Sequence, residues 1–109
     1  MAIDISGLIP DMLGAAAGVL RDSWPEAEEF AETEFKKLGE SLALIARLHA
    51  EGKITEERAR LHLEFQKSSM KTVLLAIEGL GIIAVERAIN AALGVLKDTV
   101  NTAIGFALL

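Results

Sequence analysis

Apolar residues recur every three or four positions through most of the chain, the spacing that gathers them on one face of a helix. Pro10 and Asp11 suit the start of a short helix over residues 10–21. Ser23, Pro25 and Glu26 then read as a capping box opening a helix over 24–51, with Glu28 and Glu29 where the helix dipole favours negative charge. Its inner face is Ala31, Phe35, Leu38, Leu42 and Ile45, and Lys36, Lys37 and Arg47 follow towards its C-terminal end. Gly52 is placed for a left-handed stop, and Thr55 caps the next helix, with Glu56 and Glu57 in its first turn. A connection this short predicts an antiparallel helical hairpin.

From Thr55 onward no proline interrupts the chain, and the pattern favours one long helix over 55–108, bent at Gly79-Leu80-Gly81, over two helices broken there. Leu61, Phe65, Thr72 and Leu75 form its expected inner stripe, continued by Ile82, Ile89, Leu93, Leu96 and Val100. A second face carries Leu80, Ala84, Ala88, Ala91, Val95 and Phe106. At 1.5 Å per residue the second helix is about 80 Å long, the first about 40 Å and the N-terminal piece about 20 Å. The hairpin register sets Trp24 beside Gly81, and beyond that level the apolar C-terminal half has little to pack on. A helix apolar on most of its circumference is buried on most sides. Each exposed Leu, Ile or Val forfeits roughly 1.5–3 kcal/mol, so the expectation is an all-α protein assembling into a homo-oligomeric bundle, with a bent four-helix monomer as the alternative. The expected oligomer interface is Ile82, Val85, Ile89, Leu93, Leu96 and Val100, with Glu86 and Arg87 as a register-setting pair.

Residues 42–59 carry a pattern of their own: Leu42, Ile45 and Leu48, then Gly52, Ile54 and Thr55. It resembles the short helix-turn-helix of SHOCT-type domains, which implies oligomerisation. The chain departs from that pattern at Arg58 and Ala59, where an acidic and then an aromatic residue are usual.

Composition narrows the chemistry. The 109 residues include no cysteine, which removes disulfides, thiolate metal sites and cysteine nucleophiles. A formal charge of −5 is the wrong sign for nucleic acid. With 51% hydrophobic residues the chain buries enough surface to order itself as one domain. Charges interrupt every apolar run before it reaches the ~20 residues of a membrane span, and a basic leader is missing, so a soluble, cytoplasmic protein is expected. Gly14 and Gly18, four apart, mark close packing of the short helix.

Glu26, Glu28, Glu29, Glu32 and Glu34 invite a carboxylate metal site, but Glu-x-x-His, the signature of ferritin-like bundles, is absent. The cluster is read as a solvated helix N-terminus, and Glu78 and Glu86 as interfacial ion-pair partners. His49 and His62 are staggered by roughly 8 Å along the hairpin and do not converge on one ion. No serine has a base and acid arranged for nucleophilic work. The expectation is therefore a non-enzymatic, self-associating helical protein without catalytic, metal or cofactor residues, its partner a second copy of itself. Two alternatives stay open: a ferritin-like metal-binding bundle, and a helical hairpin whose apolar end enters membranes.

Overall fold

Four helices account for most of the chain in the computed structural model, which describes residues 3–109. They are α1 (Ile9–Leu20), α2 (Trp24–Ala50), α3 (Glu56–Leu75) and α4 (Ile82–Ile104). Short 3-10 turns at Ser6–Leu8 and Arg21–Ser23 lead into α1 and α2. Each helix packs on its chain neighbour, and α1 closes the ring against α4. The result is a four-helix bundle of 43 × 23 × 19 Å, its long axis set by the 27 residues of α2.

The α2–α3 hairpin forms as the sequence predicts. Gly52 adopts φ +72°, its N–H bonds to the His49 carbonyl, and the Lys53 N–H reaches the Leu48 carbonyl at 2.8 Å. Those two bonds make a Schellman stop that satisfies carbonyls left over at the end of α2. Thr55, in extended conformation, accepts the Arg58 N–H on its Oγ1 at 3.1 Å. Thr55→Ala is expected to cost about 1 kcal/mol in chemical unfolding, and Thr55→Ser to restore most of it.

Ser23 differs from expectation. It is the last residue of a 3-10 turn, with φ −86° and ψ −5°, and makes no side-chain cap bond. A capping hydroxyl needs the extended conformation that Thr55 has and Ser23 lacks.

The long helix expected over 55–108 is two helices. Gly79 takes φ +90°, a conformation strained for any residue with a Cβ, and Gly81 is extended as the N-cap of α4. The Leu80 N–H bonds to the Ile77 carbonyl at 3.3 Å, and the chain reverses within Ala76–Gly81. This reversal brings α4 back along the bundle. Val85, Ala88, Ile89, Ala92, Leu93, Leu96 and Val100 are all buried within the single chain. Doubling back covers in one molecule what a straight helix would leave bare, so the length mismatch no longer argues for assembly. Gly81 is also not the seat of Trp24, since a Cβ there would meet nothing within 4 Å.

The break changes the face that α3 presents. With no continuation through the glycines to fix its phase, α3 turns Ala59, Leu63, Met70 and Leu74 inward. Leu61 and Phe65, expected inside, lie on the outer pole instead. In α2 the expected stripe of Ala31, Phe35, Leu38, Leu42 and Ile45 is buried throughout.

Helix α1 is only about 18 Å long, and the segment before it extends its cover along α2. Ile3 and Ile5 are buried there, and a Cβ on Gly39 would lie 2.9 Å from Ile5 Cγ1, so this glycine lets the segment approach α2. Gly14 and Gly18 are not close-packed: both face open space, and α1 buries Ile9, Met12, Ala16 and Leu20 instead. Since their Cβ atoms would meet nothing, Gly14→Ala and Gly18→Ala are each expected to stabilise the fold by about 0.5–1 kcal/mol in urea unfolding.

Candidate functional site

Four surface features hold the chemistry of the described residues, and each is built by the fold just given. The first is a cleft of about 620 Å³ between the N-terminal segment and α2. Ile5, Ile9, Leu13 and Ala43 line it, and Lys36 spans part of its rim to Glu32 at 2.9 Å. Asp4 lies at its mouth, held below the ordinary carboxylate range by hydrogen bonds from the Ser6 hydroxyl and the Ser6 N–H. Each of these charges is already committed to a local partner.

The second is the α3–α4 groove. Lys71 Nζ meets Glu86 Oε1 at 3.3 Å, and Lys67 pairs with Glu64 on the α3 side. Glu86 therefore finds its partner across two helices of the same chain rather than in its neighbour Arg87. Both Glu86 and Arg87 are exposed, as is Ile82. The other expected interface residues, Val85, Ile89, Leu93, Leu96 and Val100, lie in the core.

The third feature fastens the C-terminal tail. Gly105, at φ +91°, ends α4, and Asn101 Oδ1 accepts the N–H groups of Leu108 and Leu109 at 3.0 and 2.9 Å. Arg60 donates from Nε and Nη2 to the Ala107 carbonyl while its guanidinium sits 5.3 Å from the Phe106 ring centre. The His49 ring packs on the other member of that contact, 4.8 Å from Phe106. His49 thus packs against the tail, and His62 lies apart from it, exposed on α3. Asn101 carries no sequence signal for this role, because the bonds close only when the tail turns back after Gly105.

The acidic cluster of α2 is mostly solvated, as expected, with one exception. Glu34 is only 4% exposed and its carboxylate meets Lys37 Nζ at 3.1 Å. Among the described residues no group of three His, Asp or Glu side chains could hold a metal ion. No described helix is long and apolar enough to cross a membrane.

The fourth feature is apolar side chains left uncovered on α2 and α3, as Ile82 and Ile83 also are at the start of α4. Phe65 and Leu61 are 68% and 61% exposed on the outer pole of α3, one turn apart, with Arg58 and His62 on the flank towards α2. Phe30 of α2 is 51% exposed, with Glu26 one turn before it and Glu29 beside it. Single exposed apolar residues are common, but paired Leu and Phe at full helical spacing form a patch. The hydrophobic rhythm marked Leu61 and Phe65 as apolar positions and gave them the wrong side. No protein-family model, curated protein or solved structure matches the chain.

Proposed function

We propose that this chain is a non-catalytic helical module that associates with further copies of itself and serves a structural or protein-interaction role. The carrying observation is the exposed pair Leu61 and Phe65 on a helix whose opposite face is already packed in a closed core. Covering both side chains removes apolar area from water at about 25 cal/mol per Å², the usual driving force for association. The reading no longer rests on the α4 stripe, which the chain covers by itself. The SHOCT-like spacing in residues 42–59 lends it support, since α3 begins in that motif and carries the patch.

Sedimentation equilibrium over a range of concentrations tests it. A weight-average mass rising above the 11.7 kDa of one chain is the expected result. A mass fixed at that value up to about 1 mM, where an interaction of only about 4 kcal/mol would already show, overturns it.

A further inference from the structure

The molecule carries two exposed aromatic patches, one flanked by unpaired carboxylates and the other with an unpaired cation on one flank. Phe30 projects from the first turns of α2 beside Glu26 and Glu29, and neither carboxylate takes part in an ion pair among the described residues. Their neighbours Glu32 and Glu34 are the ones neutralised, by Lys36 and Lys37. Around Leu61 and Phe65 the unpaired charge is mixed, a cation on one flank and a carboxylate, Glu57, on the other. Arg58 has no carboxylate partner among the described residues, whereas Arg60 pairs with Glu56 and Arg47 with Glu51. His62 completes that flank, and Glu57 stands on the opposite one, towards α4.

The two patches cannot meet within one chain. By helical rise Phe30 lies about 30 Å from the α2–α3 turn and the Leu61–Phe65 pair about 11 Å from it, roughly 20 Å apart along rigid helices. Each is thus a half-site with uncompensated charge around an apolar centre, and the complementary half is on the same surface of another copy. We infer that the acidic Phe30 patch of one chain docks on the Leu61–Phe65 patch of a second chain, with Arg58 facing Glu26 and Glu29. This pairing rests on the self-association proposed above and names its faces. An apolar anchor ringed by complementary charge is how interfaces combine affinity with choice of partner. It also disfavours pairing of two Phe30 patches, which would set four carboxylates against one another.

Complementation between two blocked variants tests the pairing. Phe30→Ser disables the acidic patch and Phe65→Ser the other; both positions are exposed, and helical circular dichroism checks that each variant folds. Each variant alone is expected to associate at least about tenfold more weakly than the parent chain. An equimolar mixture is expected to recover a heterodimer, because each variant keeps the half that the other has lost. Arg58→Glu is expected to weaken association similarly and to regain it when mixed with Glu26→Arg/Glu29→Arg, and about 0.5 M salt is expected to weaken the parent's association. If the parent chain associates while Phe30→Ser and Phe65→Ser associate equally well, the pairing is wrong and self-association stands. If only one variant loses association, that patch faces its own kind and the pairing fails; it fails likewise if both variants are monomeric and their mixture stays so. A parent chain that stays monomeric throughout removes both proposals.

Discussion

Leu96→Ala is expected to lower the unfolding free energy by about 2–5 kcal/mol, with a loss that does not change with protein concentration. Leu96 has no solvent exposure and sits midway along α4, in a stripe completed by Val85, Ala92 and Val100. Removing three carbons there leaves a cavity whose walls belong to one chain. The surrounding helices close it only in part, hence the wide range. Urea unfolding at two protein concentrations a hundredfold apart reads the outcome. Were α4 buried between chains instead, the substitution would also weaken association, and the loss would shrink at concentrations where the chain is monomeric. A loss under about 1 kcal/mol would show that Leu96 is not packed as described.

The second large effect concerns the reversal between α3 and α4. Gly79→Ala is expected to destabilise the fold by about 1–2 kcal/mol, since a side chain at φ +90° crowds the neighbouring carbonyl. Gly81→Ala, at an ordinary negative φ and with open space around its Cβ, is expected to change stability by only a few tenths of a kcal/mol, the poorer N-cap offset by the stiffer unfolded chain. Paired thermal melts separate the two. Equal losses at both glycines would mean that the reversal does not depend on a left-handed residue.

That reversal also marks the boundary of what the sequence disclosed. Where a helix end carries its own chemistry, the pattern was readable: Gly52 as a left-handed stop, Thr55 as an N-cap, and the Ala31-to-Ile45 stripe of α2 between capped ends. At Ala76–Gly81 the signal is ambiguous, because glycine weakens a helix without dictating a turn and the flanking residues are apolar. Reading through it fixed the phase of α3 from α4 and so placed Leu61 and Phe65 inside. The joint packing of α3 on α2 and on the returning α4 places Ala59, Leu63, Met70 and Leu74 in the interior.

The surface features were less visible for the same reason. Nothing in the local sequence distinguishes Asn101 from any polar helical residue, and Ile3 and Ile5 precede the first helix with no periodicity to recommend them. Phe30 and Phe65 were legible as aromatics on helices. Their exposure, and the uncompensated charges beside them, appear only once the ion pairs are assigned in three dimensions.

Helix α1 has its seam with α4, more than sixty positions downstream, while α2 and α3 meet across a turn of a few residues. Bringing distant stretches together loses chain entropy that neighbouring stretches keep, so the middle hairpin zips first and the outer pair docks late. Synthesis from the N-terminus sharpens the order: α1 emerges with α4 still untranslated, and Met12, Ala16 and Leu20 lack that part of their cover until α4 follows.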